Sequence, residues 1–200
     1  MGGLPPPKVE PDIPVLNRYF GVYRSGDLKV RGIEARRHDT PLAFTRCQME
    51  ILRTLARADS VAEAENKIPD CVEIFLGYAD GLTRRDVPAS ELAFTTNLSK
   101  APEEYSTMTV QHAAVKQLVS EGATLHAGEG IRYVITDYKG KDSKRATPLD
   151  VIKDETKYDS ERYIRLLAET CASVLTPFDP GCTARRLMSF YEVRRSGRLG

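Results

Sequence analysis

The sequence predicts an α+β fold in which a β-hairpin precedes a mainly helical region. Three observations support this: aromatic and β-branched residues early in the chain turn back at a Gly-Asp pair, apolar residues then recur at helical spacing, and strands do not alternate with helices. The chain has 200 residues, of which 41% are hydrophobic and 28% charged. This composition is ordinary for a globular chain, and the length suggests one domain, or one domain with an appendage.

The first predicted elements are an extended lead-in and the hairpin. Residues 1–16 contain five prolines, which fix φ and lack an N–H, so we expect a disordered lead-in. The hairpin strands are Arg18–Arg24 and Leu28–Ala35, joined at Ser25–Asp27. Alternation predicts one buried face, formed by Phe20, Val22, Leu28 and Val30, and one polar face, formed by Tyr19, Tyr23, Lys29 and Arg31.

Two helices are predicted next. The first begins at Thr40-Pro41, the N-cap and the first helical residue, and ends near Ala58. The second begins at the capping box Ser60–Glu63 and ends with Gly81 as its C-cap. Pro69 lies well inside this second helix and should kink or split it.

The remaining elements mix short strands with helices. They are a partly β-like segment at 88–98, a helix at Val110–Glu121 stopped by Gly122, a strand at Ile131–Asp137, a charged loop at Gly140–Thr147, and a last long helix capped by Asp159 that ends before Pro177.

The net charge of +1 hides an uneven distribution of charged residues. Between Arg18 and Arg57 nine Lys or Arg face four acids, whereas between Asp59 and Glu104 ten acids face four bases. Between Arg185 and Arg198 there are five arginines and one acid. Localised basic zones suit phosphate binding, although solvated helix surfaces produce the same pattern.

No metal site or membrane segment is expected from the sequence. The four cysteines (Cys47, Cys71, Cys171 and Cys182) form no C-x-x-C pair and the three histidines are scattered, so we expect free thiols in a reducing, cytoplasmic setting. His38-Asp39 resembles the HD pair of metal-dependent phosphohydrolases but lacks the further ligands. No apolar run approaches the roughly 18 residues that span a bilayer.

The hairpin region resembles a known family. Asn17–Tyr23, followed by the R-G-I-E-A-R-R-H-D run at Arg31–Asp39, resembles the palm-to-thumb junction of archaeal-type family B DNA polymerases. The resemblance continues through Ser99-Lys100, Glu104-Tyr105, His112, Gly128, Ile131–Val134, Tyr158-Asp159 and Tyr163-Ile164. It implies a palm-edge hairpin at 17–39, a thumb domain at 40–178 and a basic tail at 179–200.

The resemblance implies that this region grips primer–template duplex through its phosphates. The DNA-binding residues expected on this basis are Arg18, Tyr19, Arg31, Arg36, Arg37, Asp39, Lys100 and His112. Guanidinium groups suit phosphate because their donors form a fixed fork. Asp39 is expected to orient a neighbouring arginine, and a structural role for His112 stays open.

The tail resembles a sliding-clamp-binding box. Leu187–Tyr191 is similar to the Q-x-x-L-x-x-F-F box of replicative polymerases, with Ala184 in place of Gln. Leu187, Phe190 and Tyr191 would then form a plug on one helical turn for an apolar pocket of the clamp. The alternative is an ordinary amphipathic terminus, but the flanking arginines argue against a buried core role.

No catalytic residue is expected in these 200 residues. The polymerases of this family hold two metal ions with carboxylates from a D-T-D motif, which the sequence lacks. We therefore expect no polymerase activity from the chain alone and no cofactor in it, with Mg²⁺ bound by a large catalytic subunit. A polymerase remnant that binds only DNA or the clamp, and a helical adaptor that does not bind nucleic acid, are the alternatives.

Overall fold

The computed structural model describes residues 19–22, 28–33, 39–105, 109–141 and 144–197. The elements follow in the order β1 (Tyr19–Val22), β2 (Leu28–Arg31), α1 (Leu42–Leu55), α2 (Val61–Asn66), α3 (Ile68–Arg84), α4 (Ala89–Leu92), β3 (Phe94–Asn97), a 3₁₀ turn (Pro102–Glu104), α5 (Val110–Ser120), β4 (Gly130–Ile135), β5 (Ala146–Pro148), a second 3₁₀ turn (Leu149–Val151), α6 (Ser160–Leu175) and α7 (Ala184–Arg195). This confirms the predicted α+β class. The predicted lead-in and the turn at Ser25–Asp27 lie outside the described residues.

The chain folds as two compact units. Unit 1 comprises the described residues of Met1–Arg37, Phe44–Gly81 and Ile164–Gly200, and unit 2 comprises those of His38–Ala43 and Leu82–Tyr163. The range 40–178, expected from the resemblance to be a thumb, therefore contributes residues to both units.

The hairpin has the register that its alternation predicts. β1 and β2 are antiparallel, with Phe20 opposite Val30 and Val22 opposite Leu28. Val30 is buried, and the ring of Phe20 packs on Phe178 at 5.9 Å between centroids. Aromatic pairs of this kind contribute beyond the area that they bury, so the apolar face of the hairpin is anchored within unit 1.

A helical core holds the rest of unit 1 together. In α1, Ile51, Leu52 and Leu55 are almost fully buried, as the predicted stripe requires. The buried amide of Gln48 on α1 donates to the Thr170 carbonyl oxygen of α6 at 2.9 Å and to Ser173 Oγ at 3.3 Å. These bonds satisfy a polar group that would otherwise cost stability in the core.

The predicted second helix is split, as expected from Pro69. α2 ends at Asn66 and α3 begins at Ile68, so Pro69 occupies the first turn of α3, where a missing N–H leaves no helical bond unmade. The capping box is confirmed in part: Ser60 Oγ accepts from the Glu63 N–H at 3.1 Å. Glu63 Oε2 accepts from the N–H of Asp59 at 2.9 Å rather than from that of Ser60.

Two predicted helix ends are wrong. Gly81 is not a C-cap, because α3 continues to Arg84 and the left-handed residue that follows it is Arg85, with φ of 61°. Leu82, which is 2% exposed, extends the buried stripe past the glycine. α1 begins at Leu42 and ends at Leu55, earlier than the predicted Ala58.

Unit 2 is built on a three-stranded antiparallel sheet in the order β3-β4-β5. Helix α5 packs against it, and the shared core consists of Leu98, Ala113, Ala114, Val115, Ile131 and Ala146. The predicted strand and helix at 131–137 and 110–121 are confirmed as β4 and α5, and Gly122 follows α5 with φ of 94°. β5 begins at Ala146, so the predicted charged loop at Gly140–Thr147 ends two residues earlier than expected.

All four cysteines are buried free thiols in unit 1. Cys47 Sγ on α1 lies 3.6 Å from Cys171 Sγ on α6. Burial raises the pKa of the Cys71 thiol to about 12 and that of Cys182 to about 11. The thiols of Cys71 and Cys182 therefore stay protonated at neutral pH, and the buried cysteines pack as small apolar side chains. Among the described residues, no helix has both the length and the apolar character that crossing a bilayer requires.

Candidate nucleic-acid interface

Lys100 lies in a turn that is held by the hydroxyl of Tyr105. This hydroxyl accepts from the backbone N–H of Ser99 at 3.1 Å and from that of Lys100 at 3.3 Å, and it lies 3.4 Å from Ser99 Oγ. The hydrogen bond with the Ser99 side chain is the main cause of a lowered pKa of Tyr105. The turn has its backbone donors satisfied and presents the Lys100 side chain to solvent.

His112 contacts Tyr105, the residue whose hydroxyl holds this turn. Its ring meets the ring of Tyr105 edge-on, at 3.7 Å between centroids and 88° between planes. His112 is 6% exposed, and its backbone N–H donates to Thr109 Oγ1 at the N-cap of α5. The ring of His112 therefore packs against Tyr105, and the expected contact of His112 with DNA stays a prediction.

Tyr105 was not among the predicted site residues, although Glu104-Tyr105 carried part of the resemblance. The signal that could have found it is local: an aromatic hydroxyl five and six residues after a Ser-Lys pair can close the intervening turn. The sequence does not show that this hydroxyl faces the turn, because that orientation depends on the contact with His112 across α5.

The polar face of the hairpin presents two cations. Lys29 and Arg31 are exposed on β2, on either side of buried Val30. Alternate residues on a strand lie about 6.7 Å apart along the chain and point the same way. Tyr19 is the register partner of Arg31, but its side chain is not described. The other predicted contacts in this region, Arg18, Arg36 and Arg37, lie outside the described residues.

Asp39 is half-buried in unit 2. Its negative charge adds to the effect of burial in raising the pKa of Tyr133 on β4. Asp39 therefore lies near the sheet of unit 2. Its expected role of orienting Arg36 or Arg37 stays a prediction. Of the predicted residues that the structure describes, Lys100 and His112 come together through Tyr105, and Tyr19 and Arg31 are paired across the hairpin.

The predicted clamp-binding box is largely buried in the helical core. α7 is a full helix of 12 residues, in which Leu187 is 0% exposed and Tyr191 5%. The expectation that the flanking arginines keep this segment out of the core is wrong. Arg194 forms ion pairs with Glu73 and Asp80 of α3, at 2.7 and 3.2 Å, so this arginine holds α7 against α3.

The remaining face of α7 is accessible. Phe190 is half-buried, and the guanidinium of Arg186 lies 5.5 Å from the centroid of its ring. Arg186 also lies 3.6 Å from a carboxylate oxygen of Asp179. Of the three predicted clamp-binding residues, Phe190 is therefore the most accessible, while Leu187 and Tyr191 are part of the core.

Across the described ranges, no group of three or more His, Cys, Asp or Glu side chains is arranged to hold a metal ion. The expectation that a separate catalytic subunit binds Mg²⁺ stays a prediction.

Comparisons with known proteins converge on one family. Residues 17–178 match the model of DNA polymerase family B. DNA polymerase 1 of Saccharolobus solfataricus is 29% identical over 164 residues, which are 80% of this chain and 18% of that protein. The DNA polymerase of Thermococcus aggregans is 28% identical over 148 residues, or 74% of this chain and 8% of that protein.

The fold comparison agrees with these matches. The structure of the family B DNA polymerase from the hyperthermophilic archaeon Pyrobaculum calidifontis covers 81% of this chain with a TM-score of 0.63, at 23% identity. This similarity shows the fold alone. The chain spans 20% of that structure, and less than a fifth of the two curated relatives named above.

Proposed function

Because the chain belongs to DNA polymerase family B, we propose that it is the duplex-gripping thumb portion of such a polymerase, working with a separate chain that carries the catalytic carboxylates. The observation that carries this proposal is the pair of exposed cations, Lys29 and Arg31, on the polar face of the hairpin. This hairpin lies within the segment that most specifically resembles the family's palm-to-thumb junction.

Phosphate contact is the chemistry that this surface offers. A duplex carries a regular row of negative charges, and cations that neutralise them release condensed counterions, which makes binding strong at low salt and independent of sequence. Arg31 can offer a phosphate the fixed fork of its guanidinium, whereas Lys29 offers a point charge. In unit 2, Lys100 separately offers a cation, from a turn whose backbone N–H groups are already hydrogen-bonded.

The second half of the proposal concerns catalysis. The 200 residues contain no D-T-D motif, and we propose that the carboxylates that hold Mg²⁺ are supplied by the separate chain. A polymerase remnant would contact duplex in the same way but would restore no catalysis to a partner. Nucleotide incorporation by the purified chain without any second polypeptide would contradict this part of the proposal.

Clamp binding is not part of the proposed function. A plug for an apolar pocket must be exposed, whereas Leu187 and Tyr191 are buried in unit 1. The box would have to leave the core before it could bind, and the ion pairs of Arg194 oppose this release.

We predict that the double variant Lys29→Gln with Arg31→Gln binds primer–template duplex less tightly at low salt, uniformly across sequences. Each phosphate contact contributes about 0.9 to the slope of log K against log salt, so the slope should become shallower by about 1.8. The measurement is fluorescence anisotropy of a labelled duplex at several salt concentrations.

The matched control is Lys67→Gln. Lys67 is also in unit 1, but it lies in the acidic stretch Asp59–Glu104, whose negative charges repel phosphates. We expect its slope to equal that of the unmodified chain. All three substituted positions are at least partly exposed, so thermal melts should show that the variants fold. An unchanged slope in the double variant would remove the hairpin from the interface.

A further inference from the structure

Unit 1 contains all four cysteines of the chain, and their side chains are buried near one another. Two of them lie before the segment that forms most of unit 2, and two lie after it. Burial raises the pKa of Cys171, and the other three thiols add to this rise, so the four sulfurs are neighbours in space. Phosphate contact gives none of these side chains a role.

One pair of these thiols is in direct contact. Cys47 Sγ on α1 lies 3.6 Å from Cys171 Sγ on α6, whereas Cys71 Sγ lies 4.0 Å from the carbonyl oxygen of Ile51. The S–S bond of a disulfide is about 2.0 Å long, so the two sulfurs of the pair would have to approach by roughly 1.6 Å. Rotation of both side chains about their Cα–Cβ bonds can supply an approach of this size.

The two helices that carry the pair are hydrogen-bonded to each other beside it. Gln48, next to Cys47 in the sequence, donates through its side-chain amide to the carbonyl oxygen of Thr170 at 2.9 Å. Thr170 directly precedes Cys171, and the same amide donates to Ser173 Oγ at 3.3 Å. These bonds fix α1 against α6, so the two thiols already face each other. Groups held together in this way react with each other in preference to groups from solution.

The position of the pair in the chain determines what a bond between the two sulfurs would do. Cys47 and Cys171 are 124 residues apart, and the segment between them includes Leu82–Tyr163, most of unit 2. A bond would close this long loop in the unfolded chain. The entropy that an unfolded chain loses on cross-linking grows with the length of the loop, so the bond would favour the folded state.

We propose that Cys47 and Cys171 are the site of a reversible disulfide, formed by exchange with a low-molecular-weight disulfide such as oxidised glutathione. The thiolate of one cysteine attacks the oxidant, forms a mixed disulfide and releases one small thiol. The thiolate of the other cysteine then attacks the protein sulfur of this mixed disulfide and releases the second small thiol. The protein loses two protons and two electrons, and the oxidant is reduced to two thiols.

Burial determines when this exchange takes place. Both side chains are 0% exposed, so the folded core shields the two sulfurs from an oxidant in solution. Burial also raises the pKa of Cys171, which lowers the fraction of the reactive thiolate. The exchange therefore takes place while the chain folds or when the core opens, and a reductant reaches the finished bond under the same conditions.

The first test is to refold the reduced chain from urea in a mixture of oxidised and reduced glutathione. We expect the refolded chain to lose the mass of two hydrogen atoms, and its proteolytic peptides that contain Cys47 and Cys171 to stay joined until a reductant is added. A refolded chain in which these two residues are not joined would overturn the proposal, whichever other bonds it contains.

The same mixture is also added to the folded, reduced chain. Because both sulfurs are shielded, the bond should form there much more slowly than during refolding. Equal rates would contradict the protection of the pair by burial.

Cys47→Ala is the test variant and Cys71→Ala its matched control, since both replace a buried cysteine of unit 1. Cys71→Ala should form the bond, whereas Cys47→Ala leaves Cys171 without its partner and should not. In urea denaturation, oxidation should raise the ratio of folded to unfolded molecules on the order of 100- to 1,000-fold for the unmodified chain and for Cys71→Ala. It should leave Cys47→Ala unchanged.

An oxidised unmodified chain that is no more stable than the reduced one would overturn the stabilising role of the bond. If Cys47→Ala does not fold, the comparison of the oxidised and reduced unmodified chains decides the proposal alone. Neither measurement uses DNA, so its outcome is independent of the proposed function.

Discussion

Replacing Leu187 with alanine is expected to lower the free energy of unfolding by about 2–5 kcal/mol, because the substitution removes a fully buried side chain and leaves a cavity that the core cannot close. Leu187 is 0% exposed on α7, and the same helix buries Tyr191 and Met188. Urea denaturation followed by circular dichroism measures the loss. The predicted magnitude follows from a core role, not from a role as an exposed plug.

Phe190→Ala on the same helix is the matched control. Phe190 is only half-buried, so its truncation should cost clearly less than that of Leu187. If Leu187→Ala instead leaves the unfolding free energy unchanged while Phe190→Ala lowers it, α7 is packed through the opposite face. Leu187 would then be available to a clamp, and the buried-core account of this helix would be wrong.

Tyr163→Phe is expected to cost about 2–6 kcal/mol in the free energy of unfolding, although it removes only one oxygen atom. The Tyr163 hydroxyl accepts from the Ile135 N–H at 3.0 Å and donates to the Leu92 carbonyl oxygen at 2.9 Å. Both backbone partners are in buried residues, and an unsatisfied buried group costs about 1–3 kcal/mol. The ring of Phe94, stacked at 5.9 Å, keeps its partner in the variant.

Tyr158→Phe compares this loss with that of a hydroxyl that leaves one buried backbone group unpaired rather than two. The Tyr158 hydroxyl also has a hydrogen bond with the backbone of Val87, which is only half-buried, and it donates to the carbonyl oxygen of buried Leu82 at 3.3 Å. Its loss should therefore cost about 1 kcal/mol. Equal losses for the two variants in urea denaturation would mean that the hydroxyl of Tyr163 does not bridge β4 and the end of α4. Burial raises the pKa of Tyr163, so this hydroxyl keeps its proton over the ordinary pH range.

The elements that the sequence predicted correctly are those whose signals are local. Period-two alternation predicted the hairpin register, and Pro69 predicted the break between α2 and α3. The side chain of Asp159 caps α6 as predicted, with Oδ1 accepting from the Arg162 N–H at 2.9 Å. Each of these features depends on residues close in sequence or on one strand pair.

The incorrect predictions depend on tertiary contacts. β5 has only three residues beside a run of charges, and its strand conformation comes from pairing with β4. The end of α3 was misplaced because the burial of Leu82 outweighs the tendency of Gly81 to end a helix. α7 was expected to stay out of the core because its arginines look incompatible with burial, but Arg194 pairs with acids of α3, 114 and 121 residues earlier in the chain.

The residues of the candidate site also divide into those that local sequence patterns predict and those that depend on tertiary contacts. The exposed face of Lys29 and Arg31 follows from alternation alone. The turn that contains Lys100 is held by the hydroxyl of Tyr105, whose ring packs against that of His112. The spacing of these residues in the sequence does not predict this ring contact.

The measurement that bears most directly on the central claim is the salt dependence of duplex binding by the unmodified chain, with no partner polypeptide present. The account predicts a straight line of log K against log salt, falling by several units of slope and equal for duplexes of unrelated sequence. Binding that is weak and insensitive to salt would contradict it, and would leave a helical protein whose clustered cations do not meet a phosphate backbone.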